Sequence, residues 1–244
     1  TGYFIKEELK KEGIDSNFIE TQSFTRINIK LTTETETEIN SQSSRVSAEN
    51  IKDFFASLEE LCCEDTVFLS GNSIAGMEEE DFVNIAKRVQ EKGSKLVVDS
   101  NKEMVLDTLK YKPFAVKPNE FELGEMFGVK VDAVEDIAKY ARKLQEMGAI
   151  NVLVSRGSKG AILFTGEGEV FCANVARGKV VSTIAAGDSM LAMFVAKYDE
   201  SKDYKLSLQY ASAAGGATSF SAGVGKRELI DELSVQIKVD KCDL

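Results

Sequence analysis

The sequence predicts an α/β fold, a doubly wound and mostly parallel sheet flanked by helices. Three observations lead there. From residue 50 onward, short apolar runs, Val67-Phe68-Leu69, Leu96-Val97-Val98, Phe114-Ala115-Val116 and Val152-Leu153-Val154, alternate with stretches of helical periodicity. The runs are continuous rather than alternating, which marks strands covered on both faces. The segments between them are long enough for helical crossovers, whereas hairpins would need only a few residues.

Taken in order, Ile5 and Leu9 among charged neighbours predict a short helix that ends near Gly13. Strands are expected at 18–20 and 25–31, where Arg26-Ile27-Asn28-Ile29-Lys30-Leu31 alternates polar with apolar side chains, the pattern of a sheet with one wet face. With residues 36–39 they make a small half-exposed sheet, and the Thr/Glu repeat over 32–37 reads as a solvated turn and edge. Helices follow across 51–61, 82–89, 102–109 and 134–147, with another starting near Glu120. Gly157 to Gly160 turns the chain back into Ala161-Ile162-Leu163-Phe164, and Gly166-Glu167-Gly168 turns it again into Val170 and Phe171. Val180, Val181 and Ile184 read as a buried strand handing over to a helix that carries Met190, Leu191, Phe194 and Val195. Residues 206–214 are helical and rich in small side chains, with Gly215-Gly216 interrupting; such a run admits close approach of another helix or of a flat ligand.

Composition removes several function classes. Forty acidic against thirty basic residues give a net charge of −10, which leaves no basic surplus to displace counterions from nucleic acid. No apolar run approaches the ~20 residues of a membrane span, so neither nucleic acid nor membrane is expected as a partner, and the location expected is cytoplasmic. Histidine is absent, which excludes Ser-His-Asp and Cys-His catalysis and most zinc sites. Acid–base work falls to Asp, Glu, Lys, Tyr or Cys. The four cysteines, Cys62, Cys63, Cys172 and Cys242, lack CxxC spacing and are expected to be reduced and mostly buried.

The stretch Thr183-Ile184-Ala185-Ala186-Gly187-Asp188-Ser189 carries the most chemistry. It sets one carboxylate beside small residues at a helix start, where free amide hydrogens and the positive end of the macrodipole hold negative charge. A carboxylate next to an anion hole suits phosphoryl transfer, taking the proton of an attacking hydroxyl while donors steady the moving phosphoryl group. The competing reading makes Asp188 a helix cap. In a wound sheet, ligands bind beyond the carboxyl ends of the strands. Ser70-Gly71-Asn72-Ser73, Lys117-Pro118-Asn119-Glu120-Phe121-Glu122 and Ser155-Arg156-Gly157 all follow such ends and form one rim with residues 185–188. Asn119 and Glu122, three apart at a helix start, offer oxygen ligands to a hydrated magnesium ion, or else cap the helix. Gly223-Val224-Gly225-Lys226 falls short of a P-loop, because Phe220 stands where a glycine is required and Arg227 where Ser or Thr is.

The ordered series Thr25-Arg26-Ile27-Asn28, Ser70-Gly71-Asn72-Ser73, Lys117-Pro118-Asn119-Glu120-Phe121-Glu122, 155–160 and Ala185-Ala186-Gly187-Asp188 resembles the ribokinase-like (PfkB) sugar kinases over essentially the whole chain. The resemblance implies transfer of the ATP γ-phosphoryl group to a sugar phosphate, fructose 1-phosphate giving fructose 1,6-bisphosphate, with tagatose 6-phosphate or another small alcohol as alternatives. It implies Asp188 as base and the amides of Ala185, Ala186 and Gly187 as anion hole. Lys117, Asn119, Ser155, Gly157, Gly160 and Gly187 match ATP positions; Asn119 and Glu122 match the motif that organises magnesium through water. Arg26, Asn28 and Ser70 match substrate positions, while Lys159 matches none and reads as an exposed turn residue. The strands around 17–39 correspond to what is left of a small β lid, through which a homodimer can form.

Departures from the family pattern qualify these expectations. The chain starts after the family's first strand and part of its lid, so the single domain 1–244 reads as N-terminally incomplete. Glycines are replaced at Asn72, Ile74, Ala75, Ser41, Ser43, Lys102 and Ala185, and Met193 fills a position that is usually small. A methyl at Ala185 is tolerable at negative φ and crowds a phosphate if the turn needs positive φ. A catalytically impaired nucleotide-binding chain is therefore the alternative to an active kinase.

Overall fold

The computed structural model describes the chain except residues 23, 26, 33–35, 42–44 and 72–73, and of residues 30–32, 36–38 and 40 it describes the backbone. The helix α1 (Gly2–Lys11) comes first and buries none of its residues. Next, β1 (Asn28–Thr32) and β2 (Glu36–Asn40) pair antiparallel as a sheet of their own, with Ile29 opposite Ile39. A two-stranded sheet thus forms, but its apolar pair is not covered, Ile29 and Ile39 being exposed as Asn28 is, and residues 18–20 are not a strand. Their backbone is engaged elsewhere: the Glu20 carbonyl accepts from the Asn50 side chain in the first turn of α2 (Ala48–Ser57).

The main sheet runs in sequence order: β3 (Thr66–Gly71), β4 (Lys95–Ser100), β5 (Ala115–Val116), β6 (Asn151–Ser155), β7 (Ala161–Phe164), β8 (Val170–Ala173) and β9 (Val239–Lys241). The first four strands are parallel, and the last three join antiparallel. The crossovers contain α3 (Glu79–Glu91), α4 (Lys102–Thr108), α5 (Glu120–Phe127) and α6 (Val134–Met147). Parallel strands laid down in one direction with right-handed crossovers put their helices on one face. The other face is covered by α7 (Ala186–Ser201), α8 (Tyr204–Ser219) and α9 (Arg227–Ser234).

Side-chain alternation divides the core accordingly. Leu96, Val98, Val116, Val152 and Val154 pack with Ile85, Leu123 and Leu144 of α3, α5 and α6. Val97, Ala115, Leu153 and Leu163 pack with Phe194, Leu208 and Ala214 of α7 and α8. Burying a Leu or Phe of this kind stabilises by roughly 1.5–3 kcal/mol, so both faces contribute to holding the strand ends in place.

Three expectations are corrected. Residues 180–184 form no strand, and Val180, Val181 and Ile184 are exposed. Both edges of β8 are already taken by β7 and β9, and the amides of Val181 and Ser182 donate instead to the Ser219 carbonyl. The helix α8 runs straight through Gly215-Gly216, because α7 packs against it there: a Cβ on Gly215 would lie 3.3 Å from the Ala186 carbonyl oxygen and from Met190 Cε. Finally, Cys172 of β8 and Cys242 beyond β9 are joined as a disulfide, their Cα atoms 6.2 Å apart across the β8–β9 pairing, while Cys62 and Cys63 are exposed. No helix among the described residues is long and apolar enough to cross a membrane.

Candidate active site

A cleft of about 700 Å³ opens at the carboxyl ends of β3 and β4, lined by Gly71, Asp99, Lys117, Glu122 and Asp188 among others. Each of these five is delivered by a strand end or a helix start. Asp99 ends β4, Lys117 follows β5, Glu122 lies in the first turn of α5, and Asp188 lies in the first turn of α7.

Lys117 is the inner member. Only 8% of its side chain is exposed, and its Nζ lies 3.3 Å from Asp99 Oδ2. The same ammonium reaches α7: a Cβ built on Gly187 would stand 2.9 Å from it, so Gly187 is what admits the lysine under the helix start. Burial pushes the Asp99 carboxyl above its ordinary pKa; Lys117 pulls it back, and the negative charges of Asp188 and Glu122 push it further up. Asp99, Lys117, Glu122 and Asp188 therefore form one electrostatic unit.

At the start of α7, Ala185 adopts the left-handed conformation, φ 60 and ψ 7. It is one of three such non-glycine residues described, with Lys112 and Lys202, and the other two close helices rather than open one. Intrahelical bonding begins with the Ser189 amide donating to Ala185 O at 2.9 Å. The Ala186 amide makes a long bond to Thr183 O at 3.3 Å. Among the described residues, the amides of Ala185, Gly187 and Asp188 have no acceptor, and the Asp188 side chain is exposed at the cleft without a hydrogen-bond partner. A free carboxylate beside free amides at the positive end of a 16-residue helix is equipped to accept a proton and to hold an anion.

Asn119 and Glu122 cap α5 reciprocally: Asn119 Oδ1 accepts from the Glu122 amide and Glu122 Oε2 accepts from the Asn119 amide, both at 2.8 Å. Capping leaves the other carboxylate oxygen of Glu122 uncommitted on the cleft side, so the two readings of this pair coexist. Ser155 bridges to Asn119 in parallel fashion and donates its amide to Pro118 O. Ser155, Gly157 and Asn119 line a second cavity of about 820 Å³, which shares Glu125 of α5 with the cleft but does not include Asp188. Gly160 is fixed by close approach, since a Cβ there would fall 1.9 Å from Ala173 O. Lys159 is exposed but not idle: with Arg156 it pairs with Glu120, at 3.1 and 2.8 Å. Burial would raise the Glu120 carboxyl, but hydrogen bonds from these two cations outweigh it and hold it below its ordinary value.

The remaining sequence candidates lie elsewhere. Ser70 aligns with Asp99 across β3–β4, yet it lines an apolar cavity of about 420 Å³ with Phe54, Phe68 and Ile85, while its neighbour Gly71 faces the cleft. Asn28 opens β1, exposed and opposite Asn40, and is not among the cleft-lining residues. Arg26 lies outside the described residues, as do Ser43 and Asn72. Asp99 and Lys102 are cleft residues that the sequence reading did not select. For Asp99 the signal was available: a carboxylate at the carboxyl end of a buried parallel strand, the same placement that marked the other rim segments.

The model of the pfkB family of carbohydrate kinases matches residues 1–229. The chain belongs to that family. Over 241 residues it is 37% identical to a 1-phosphofructokinase of Bacillus subtilis, a match spanning 99% of this chain and 79% of that one. A D-tagatose-1-phosphate kinase of Bacillus licheniformis is 34% identical over 240 residues, 98% of this chain and 79% of the other. Among solved structures, a Staphylococcus aureus protein described as a candidate phosphofructokinase superposes with a TM-score of 0.88 at 35% identity, over 99% of this chain and 79% of that one. The ribokinase-like layering expected from the sequence is thus the fold of a pfkB kinase, and ATP is the phosphoryl donor this family membership implies.

Proposed function

We propose that the chain transfers the γ-phosphoryl group of ATP to a hydroxyl of a sugar phosphate, with fructose 1-phosphate as acceptor and fructose 1,6-bisphosphate as product. The observation that carries this reading is the Asp188 carboxylate, free of partners, beside the unfilled amides of the α7 start and above the Lys117–Asp99 pair. The acceptor hydroxyl gives its proton to Asp188 as its oxygen attacks the γ-phosphorus, and ADP leaves. The free amides of Ala185 and Gly187, with the Lys117 ammonium beside Gly187, steady the charge on the transferring group, and the Ala186 amide joins them only by giving up its long bond to Thr183 O. General-base assistance of this kind contributes typically 10²–10⁴-fold.

Among the described residues no three carboxylates or thiols converge into a ready metal cage. That fits magnesium, which keeps several waters and leans on substrate phosphates. Glu122, with Asn119 behind it and Asp99 nearby, would hold its waters, and the ion would neutralise phosphate charge. Ser155, Gly157 and Gly160 are assigned to the nucleotide end, Arg26 and Asn28 to the substrate end; Ser70, which opens to the apolar cavity, is left out of the acting set. A homodimer through the β1–β2 hairpin is supported by its exposed apolar residues Ile27, Ile29 and Ile39, and a cytoplasmic location by the need for ATP.

One observation favours a second reading, a nucleotide-binding chain with reduced turnover. The left-handed backbone at Ala185 brings a Cβ against its following carbonyl within the turn that presents the amides. ADP release measured with fructose 1-phosphate, tagatose 1-phosphate and tagatose 6-phosphate, alongside calorimetric binding of MgATP, separates the two. Sugar-phosphate-dependent ADP release, greatest with fructose 1-phosphate, supports the kinase; MgATP binding with no such release supports the second reading.

A further inference from the structure

Of the two cations that line the cleft, one is left without an occupation. Lys102, the first residue of α4, lines the cleft together with Asp188, is exposed, and makes no hydrogen bond, ion pair or ring contact among the described residues. Exposed lysines elsewhere differ in this, some pairing with a carboxylate, as Lys87 does with Glu91 and Lys197 with Glu200, so it is the place of Lys102 in the cleft that matters.

The charge balance of the cleft gives this free ammonium a purpose. Five carboxylates, Asp99, Glu103, Glu122, Glu125 and Asp188, face two ammonium groups, Lys102 and Lys117. Lys117 is buried and committed to Asp99 at 3.3 Å. A kinase of this kind must bring a polyphosphate and a phosphate monoester into the same space, and both are repelled by an acidic lining. A magnesium ion offsets part of that repulsion at the nucleotide. The second phosphate still needs a mobile donor, and a lysine ammonium offers three N–H groups on a flexible stem.

We infer that Lys102 is a phosphate-ligating residue of this cleft, donating to the non-bridging oxygens of a phosphoryl group. The inference deepens the proposed kinase reading and rests on it. Two sources share the chemistry, the terminal phosphates of the nucleotide and the phosphate of the sugar acceptor, and the measurement tells them apart.

Calorimetric dissociation constants for MgATP and, separately, for fructose 1-phosphate are compared in the wild type, Lys102→Ala, Lys102→Arg and Lys87→Ala, the last an equal change of net charge on the outer surface of α3. Losing a charge-assisted hydrogen bond at a partly exposed site is expected to weaken one of the two ligands about tenfold. Lys102→Arg keeps that ligand within about threefold of wild type and Lys87→Ala within about twofold, by the same charge argument. The ligand that weakens is the source of the phosphate. Unchanged affinity for both ligands in Lys102→Ala overturns the inference, as does equal weakening in Lys87→Ala or the failure of the wild type to bind either ligand. ADP release, followed in parallel, keeps the two claims apart. Weakened binding in a chain that releases no ADP sinks the kinase reading alone; ADP release with affinities indifferent to position 102 sinks this inference alone.

Discussion

Replacing Ala185 by glycine should stabilise the protein, and the size of the effect can be worked from the backbone. At φ 60 and ψ 7 an L-residue carries roughly 1–2 kcal/mol of crowding between Cβ and the following carbonyl. Glycine removes that term but gives the unfolded chain more freedom, which costs about 0.4–1 kcal/mol. It also surrenders a half-buried methyl, worth a few tenths of about 0.8 kcal/mol. The net is a gain of about 0.5 kcal/mol, or a rise in Tm of about 1–2 °C for a chain of this size. Ala185→Val sets the opposite arm, because a β-branched side chain is still less compatible with this conformation and should lose at least about 1 kcal/mol. Urea unfolding of the three proteins measures both differences. Lys202→Gly, at φ 55 on the other end of α7, relieves the same crowding but also loses the ion pair with Asp199, so it should gain less than Ala185→Gly and leave turnover untouched. For Ala185→Gly, kcat with ATP and fructose 1-phosphate should equal or exceed wild type. A glycine variant destabilised by more than about 1 kcal/mol, or a valine variant as stable as wild type, would refute the strain argument.

Other consequences concern the charged groups and the α5 cap. Lys117→Met leaves the Asp99 carboxylate buried without its cation and should cost about 3–5 kcal/mol in urea unfolding at pH 8. Because the Asp99 pKa is raised in the folded state, protonation favours folding, so the deficit should shrink at pH 5; equal deficits at both values would contradict it. Asn119→Ala removes the acceptor of the Glu122 amide and should lower stability by about 1 kcal/mol, read as a fall in Tm. At Asp199, burial pushes the carboxyl up, but hydrogen bonds from Lys95 and Lys202 outweigh it and hold its pKa low. Its contribution is then present above the unfolded value and lost as pH falls through the folded one. Asp199→Asn should therefore cost under about 1 kcal/mol at pH 7, and the difference in urea midpoint should narrow as pH falls below the ordinary carboxylate range; a difference that widens there would contradict it.

Much of the fold was legible because burial on both faces leaves a plain mark. Leu96-Val97-Val98 and Val152-Leu153-Val154 are continuous apolar runs, and each became a central strand. The same logic misled at 180–184, where apolar residues sit in a loop because the strand edge they would need is occupied by β9. That strand, only three residues long with two of them exposed, carries almost no pattern of its own. Residues contiguous in sequence, such as 185–188 and 117–122, announced the site because helix starts after strands impose their geometry locally. Asp99 carried the strand-end signal on its own, but its pairing with Lys117, just past the end of the next strand, shows only in the sheet. Ser70 shows a subtler limit: side chains alternate along a strand, so the step from Ser70 to Gly71 moves from the apolar cavity to the cleft. The disulfide of Cys172 with Cys242 depended on the β8–β9 register, which spacing in the sequence does not reveal.

The account turns on the Asp188 carboxylate as proton acceptor. Asp188→Asn preserves shape and removes the base, and the measurement is turnover with saturating MgATP and fructose 1-phosphate alongside calorimetric MgATP affinity. MgATP affinity within about threefold of wild type, with kcat reduced 10²–10⁴-fold, is the predicted result. A variant that binds MgATP and turns over within about tenfold of wild type would contradict the assignment.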